Sequence, residues 1–245
     1  MAKYLIVNAD DFGLSAGVNR GIIECAELGI LTSASLMVRW PAAAEAAAYA
    51  KKNRAISVGL HVDLGEWVQR NGEWEMLYQV VDAGDAGAVG KEIQKQAAEF
   101  RRLVGRDPTH LDSHQHVHRK EPARAALLHL ARELGVPLRE YDPHVRYCGD
   151  FYGQGAAGEP LPELLTVANL KKILASLANG VTELGCHPGY GEDLESPYRR
   201  ERAAEIRVLC HRETRAAVAG FGFQLCHFGE LAKIADASRA RSNAP

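Results

Sequence analysis

The chain has 245 residues, 47% hydrophobic and 24% charged, with 29 Lys and Arg set against 31 Asp and Glu. That balance leaves no basic surplus to draw in nucleic acid or an anionic membrane surface, and the apolar stretch Tyr4-Leu5-Ile6-Val7 is too short for a signal-peptide core or a membrane span. A cytoplasmic location is expected, and five scattered cysteines (Cys25, Cys148, Cys186, Cys210, Cys226), never spaced Cys-x-x-Cys, point away from a disulfide framework or a thiolate metal site.

In chain order, short β-branched or apolar runs alternate with helical periods. Tyr4 to Asn8 predicts a strand. Val18, Ile22, Cys25 and Gly29 then share one helical face, with Ser15 as N-cap and Gly29 where the helix ends. Ser35 to Val38 predicts a second strand, Pro41 opens an Ala-rich helix to about Lys52, and Ile56 to His61 predicts a third strand. Residues 64–86 hold no sustained period and read as a long loop, of the kind that tends to carry function.

Ile93, Ala97, Phe100 and Val104 restore a helix. Thr109 to His114 predicts the fourth strand, Pro122 opens a helix ended by Gly135, and residues 136–139 make a weak fifth strand. Residues 142–162 read as a second irregular segment. A helix from about Asn169 to Ala178, a strand over Val181 to Cys186, a long helix opened by Ser196 and Pro197 and running to about Gly220, and a strand from Phe223 to Cys226 follow, leaving a frayed tail over 236–245. About seven strands, each followed by a helix, imply an α/β fold. The expected form is a (β/α) barrel, closed or slightly incomplete and TIM-like, in a single domain over 1–235. No Gly-x-Gly-x-x-Gly or Walker loop follows the first strand, so nucleotide binding lacks its usual signature.

In such a barrel the reactive side chains belong at the carboxyl ends of strands. Four strand ends carry them here: Asn8-Ala9-Asp10-Asp11, His61-Val62-Asp63, Asp112-Ser113-His114-Gln115-His116-Val117-His118 and Cys186-His187-Pro188-Gly189-Tyr190. Each alone has an ordinary explanation: a turn with an Asp cap, a satisfied core histidine, a solvated polar loop, a strand-ending turn. Together they place carboxylates and imidazoles on one rim, where a divalent cation is the economical partner. Asp112, His114, His116 and His118 share one face if the strand stays extended, so parity does not choose among these histidines, whereas His110 falls below the rim.

At these residues the chain resembles the YdjC-like carbohydrate deacetylase family, typified by chitooligosaccharide deacetylase. The resemblance spans nearly the whole sequence, through Val7 to Leu14, Gly59-Leu60-His61, Thr109 to His118, Phe151-Tyr152-Gly153 and Cys186 to Tyr190. It implies a metal held by Asp11, His61 and His114, with Asp10 as general base and His187 as general acid. Gln115 stands where family members often have a further His, outside the implied ligands. Three protein ligands leave positions open for water and an acetamide carbonyl, which suits acetyl removal from an N-acetylated sugar such as an N-acetylglucosamine oligosaccharide or conjugate.

The ion is Mg²⁺ by the resemblance or Zn²⁺ by ligand chemistry. Protonated His187 would give the pH profile its alkaline limb. Trp67, Trp74, Phe151, Tyr152 and Tyr190 are candidates to stack on sugar rings, or equally to anchor loops. The expected partner is a small acetylated sugar, with a homodimer left open as assembly. A metal-dependent phosphoesterase or amidohydrolase on a similar barrel is the nearest alternative, although only one convincing three-ligand set is present. A binding module without catalysis would not need both Asp10 and His187.

Overall fold

The computed structural model describes residues 2–70, 72–155, 157–196 and 198–242. The first half of the chain runs β1 (Lys3–Phe12), α1 (Ala16–Leu28), β2 (Ser33–Leu36), α2 (Ala43–Lys52), β3 (Ser57–Val62), β4 (Gly65–Arg70), β5 (Glu73–Gln79) and α3 (Ala86–Val104). The second runs β6 (Leu111–Ser113), α4 (Ala123–Leu134), β7 (Val145–Cys148), α5 (Val167–Ser176), β8 (Gly180–Cys186), α6 (Arg199–Leu209), α7 (Arg212–Gly220), β9 (Phe223–Leu225) and α8 (Leu231–Ser242). No helix among the described residues is long and apolar enough to cross a membrane.

Seven strands form one parallel sheet in the order β6-β3-β2-β1-β8-β7, with β9 beside the start of β1. β1 is its centre and is buried from Leu5 to Phe12, the near-continuous run of a parallel strand covered on both faces. Leu5, Val7 and Ala9 face the helices together with Leu36, Val58, Leu60, Leu111 and Leu184. Ile6 faces the other way and meets Val145, Val181, Cys226 and Phe228, with Leu231 and Ile234 of α8 packed beneath. The concave side is therefore stoppered by apolar groups at its amino end and turns polar toward the carboxyl end, through Asn8, Ser35, Asp112 and Glu183, all buried.

The sheet curls without closing. A single bridge of Leu111 to Leu138 extends the β6 edge, and no ladder joins that bridge to β7 among the described residues. The expected fifth strand over 136–139 contributes only this bridge, because Pro137 has no N–H to donate and Glu140, at φ 68°, turns the backbone aside. The fold is thus a seven-stranded parallel half-barrel, the incomplete form of the expected barrel, and among the described residues no ladder closes it.

Other differences have local causes. The stretch read as a loop over 64–86 contains the antiparallel hairpin β4–β5. Its largely exposed second strand carries no apolar alternation to betray it. β7 lies inside the second irregular segment, and β2 sits two residues earlier than expected. The long helix from Ser196 to Gly220 is two helices broken at Cys210 and His211, where the His211 side chain caps α7 by accepting from Glu213 N–H; the opening Pro197 lies outside the described residues. α8 carries the chain in helix through Asp236 to Ser242, where a frayed tail was expected, and residues 243–245 lie outside the described residues. The Ser15 cap and the left-handed Gly135 closing α4 follow their sequence signals, and Asp85 caps α3 by accepting from Ala88 N–H.

Candidate active site

A regular strand cannot present two consecutive side chains to one face. Between Ala9 and Phe12 the register of β1 against β2 shifts, and Asp11 sits there in the left-handed region, φ 67°, which Asp tolerates better than most residues. Asp10 keeps the concave face of Asn8, and the bulge swings Asp11 in beside it.

Asp11 Oδ1 lies 3.4 Å from His61 Nε2 at the end of β3 and 3.2 Å from His114 Nδ1 just past β6. Asp11 Oδ2 accepts from Arg202 of α6 at 2.6 Å. His61 Nδ1 lies 2.8 Å from Asp112 Oδ1. A carboxylate only accepts, so this contact places a proton on Nδ1 and leaves Nε2 to face Asp11. Burial opposes charge on His61, yet the Asp112 and Asp10 carboxylates outweigh it and raise its pKa to about 10. Burial likewise opposes charge on His114, and the hydrogen bond to Asp11 together with the Glu66 carboxylate 3.7 Å away lifts it to about 9.

Beside this trio, Asp10 receives both terminal nitrogens of Arg139 at 2.7 Å and Asn8 Nδ2 at 3.0 Å. Burial works against the Asp10 charge, but Arg139 prevails and holds the carboxyl below the usual range. Arg139 is itself buried and also reaches Asp112 at 2.8 Å and Glu183 at 2.7 Å. Its guanidinium thus ties the β6 edge to β1 and β8 across the sheet opening. Burial pushes Glu183 up to about 7 despite that contact.

His187, past β8, places Nε2 3.7 Å from Asp10 Oδ2, and burial depresses its pKa to about 4. Its ring meets Tyr152 and Tyr198 edge-on, centroids 5.3 and 5.7 Å away, while those two tyrosines stack on each other at 4.5 Å. Glu205 of α6 accepts from both the His187 backbone N–H and the Tyr198 hydroxyl. The segment after His187 rests on α1, where a Cβ on Gly21 would stand 2.6 Å from Gly189 Cα.

Past Ser113 the chain leaves the extended state for a tight helical turn, His114–Arg119, with Gln115 and His116 at φ 49° and 53°. The four-residue face drawn from parity therefore does not form. His114 alone of these histidines joins Asp11. His118 is buried with Nδ1 2.6 Å from Ser113 Oγ, and His110 stacks on Phe228 at 3.8 Å, below the rim as expected.

A cleft of about 990 Å³ opens over these groups, at the upper end of small-ligand sites. Trp67, Trp74, Phe151 and Tyr152 line it, Phe151 as a fully buried wall; Tyr190 does not, because its hydroxyl turns away to donate to Glu24 at 2.6 Å. The hairpin β4–β5 forms one wall. Gln115 holds it by donating to Trp67 O at 2.7 Å and accepting from Trp67 N–H at 3.0 Å. Asp63, the last polar residue of its strand end, fastens the hairpin base by accepting from the Tyr78 hydroxyl and Gly65 N–H.

The sequence reading did not single out Asp112 as the His61 partner, nor Arg139, Arg202, Glu205 or Glu66. The inward parity of Asp112 was available as a signal. No local pattern marks the others, because α6 carries Arg202 and Glu205 to the rim, the chain beside the Leu138 bridge carries Arg139, and the hairpin carries Glu66.

The model of the YdjC-like protein family matches residues 4–220. A chitooligosaccharide deacetylase of Serratia marcescens is 34% identical, with 94% of this chain and 100% of the relative covered. A carbohydrate deacetylase of Geobacillus stearothermophilus is 33% identical over 96% of this chain and 100% of its own length. Among solved structures, a protein of Enterococcus faecalis V583 named for cellobiose-phosphate cleavage superposes with a TM-score of 0.76 at 24% identity, covering 94% of this chain and 99% of that one. A family 4 carbohydrate esterase of Streptomyces lividans superposes at 0.54 with 14% identity, covering 92% and 91%.

Proposed function

The chain belongs to the YdjC-like family, and from that premise we propose that it is a metal-dependent hydrolase of the cytoplasm that removes the acetyl group from N-acetylated sugars. The observation that carries the reading is the grouping of Asp11, His61 and His114 on one side of Asp10 and His187. The three donor atoms lie within 4.8 Å of one another, and the 3.2 and 3.4 Å separations from Asp11 Oδ1 approach the ~3.4 Å edge that bonds of about 2.1 Å give at tetrahedral angles. The negative field that raises both imidazoles toward the charged form is the field a cation relieves. The residues therefore fit a divalent ion, Zn²⁺ by donor type or Mg²⁺ by family. When bound, that ion polarises the acetamide carbonyl and acidifies water.

The chain's own residues account for the proton traffic. Asp10, ionised under the Arg139 clamp and within reach of the same space, accepts a proton from the attacking water. With burial holding His187 down at about 4, the proposed cycle starts from a neutral imidazole in place of the charged acid first expected. The proton released by water passes to the Asp10–His187 pair, 3.7 Å apart, and His187 returns it to the departing amine, so one proton serves both steps. Arg202 holds the second oxygen of Asp11 and keeps that carboxylate aimed. Trp67 and Trp74 on the hairpin offer apolar faces to sugar rings.

The test is acetate release from N-acetylglucosamine oligosaccharides against phosphate release from p-nitrophenyl phosphate, on protein stripped by chelator and reloaded with one metal at a time. Metal-restored acetate release supports the reading. Hydrolysis of the phosphate ester alone would transfer the site to the phosphoesterases.

A further inference from the structure

We propose that the chain binds a second ion, a borderline transition metal such as Zn²⁺, on His116, His118 and Glu140, apart from the Asp11–His61–His114 centre. The left-handed residues Gln115 and His116 break the run of alternating histidines, and the result is two clusters. His114 joins Asp11, while one donor atom each from His116, His118 and Glu140 lies within 4.8 Å of the others.

Hydrogen bonding leaves nitrogens of this second cluster unclaimed. His118 is fully buried; its Nδ1 is taken by Ser113 Oγ, and its Nε2 makes no hydrogen bond among the described residues. Nδ1 of His116 is also buried and without a partner among them. Buried imidazole nitrogens are normally met by a donor, an acceptor or a metal. The two rings stand edge to face with centroids 5.4 Å apart, close enough for one ion to be shared. Ser113 also fixes the ring of His118 through the nitrogen that does not ligate, as such sites require.

Glu140 is paired with Arg119 through both oxygens, but a carboxylate has about four acceptor positions and can hold a guanidinium along one edge and a metal on another. Arg139 stands nearby as well, and its charge opposes a cation at this spot. The two guanidiniums are matched by four carboxylates, Glu140 on Arg119 and Asp10, Asp112 and Glu183 on Arg139. Two imidazoles and one carboxylate with a position left open suit Zn²⁺, Ni²⁺ or Cu²⁺ and not the all-oxygen preference of Ca²⁺ or Mg²⁺. His116, Arg119 and Glu140 line the same cleft as the candidate catalytic groups, so the open position of such an ion faces whatever the cleft holds.

The experiment is equilibrium dialysis of chelator-stripped full-length protein against Zn²⁺ alone, with bound metal counted by plasma mass spectrometry and folding checked by circular dichroism. Wild type is expected to bind two ions, and His61→Ala to keep one. His116→Ala, His118→Ala and Glu140→Gln should each retain the first ion and lose or weaken the second by at least roughly tenfold. If His118→Ala fails to fold, the two cleft-wall variants carry the test. Saturation of the wild type at one ion, or an undiminished second ion in both His116→Ala and Glu140→Gln, overturns the site. Two ions retained in His61→Ala would instead count against the catalytic centre.

Discussion

Replacing Asp112 by Asn perturbs the candidate metal centre without touching a ligand. One carboxylate oxygen faces His61 Nδ1 at 2.8 Å; the other takes Ser35 Oγ at 2.6 Å and Arg139 at 2.8 Å. An amide of the same shape has a single acceptor oxygen. Two donors on one side against one on the other decide its orientation, so the oxygen turns to Ser35 and Arg139 and the NH₂ faces His61. Nδ1 must then accept, the imidazole proton moves to Nε2, and an N–H stands where the ion needs a lone pair. Loss of such an orienting partner typically costs ~10–100-fold in metal affinity. Tautomer reversal puts Asp112→Asn at the upper end, about 2.7 kcal/mol. Folding should hold, since Arg139 keeps Asp10 and Glu183 and a crowd of three carboxylates around one guanidinium is thinned. The assay is competition with a chelator for the bound ion, beside acetate release at saturating metal. A variant that holds the ion as tightly as the wild type would refute the orienting role.

Asp10→Asn and His187→Ala are expected to keep the ion and lose roughly 10²–10⁴ in rate; metal loss from either would make that residue a ligand. With His187 down at about 4, its titration supplies no alkaline limb, so the kcat/KM profile of His187→Ala above about pH 6 should differ from wild type in height and not in shape. Gln115→Ala frees the hairpin from Trp67 and should raise KM more than it lowers kcat, with faster hydrogen exchange over 65–79; unchanged exchange would remove the clamp. Burial pushes Glu205 up to about 8, above the ~4.3 of an unfolded Glu. The native chain therefore holds an extra proton between those values, and stability falls as pH rises through that window by at most ~1.4 kcal/mol per unit. Glu205→Gln should flatten the slope in urea unfolding, and an unaltered slope would place the pH dependence elsewhere.

The frame was legible where residue type and environment agree. β1, β3 and β8 are apolar because both faces are covered, and Ser15 and Gly135 act as local signals say they should. The hairpin was missed although Asn71-Gly72 is a strong two-residue turn signal; its strands carry Glu66, Gln69, Glu73 and Glu75 and do not alternate cleanly. At the site, the strand-end rule picked out the four segments that carry Asp10, Asp11, His61, His114 and His187, the resemblance chose these residues within them, and the fold brings all five together. Their convergence depends on a bulge at Asp11 and a turn at Gln115, two left-handed residues that no periodicity encodes. Arg139, Arg202 and Glu205 arrive by tertiary paths, and a lone Arg or Glu in a helix looks the same in sequence whether it meets solvent or a buried carboxylate.

The hairpin has an engineering consequence. Val80 N–H donates to Leu64 O at 3.1 Å, so the chain leaves the half-barrel and re-enters it at one point. Everything between is an excursion whose length the scaffold does not register, since closing a longer loop costs little more than closing a short one. Apart from Glu66, 3.7 Å from His114, the chemical groups sit on the strands or just past their ends, beside the Leu138 bridge and on α6. The wall facing the sugar can thus be exchanged as a cassette, lengthened or regrafted from a relative, while the strand-borne machinery stays in place; selection on substrate range and selection on chemistry can proceed on separate stretches of the same gene.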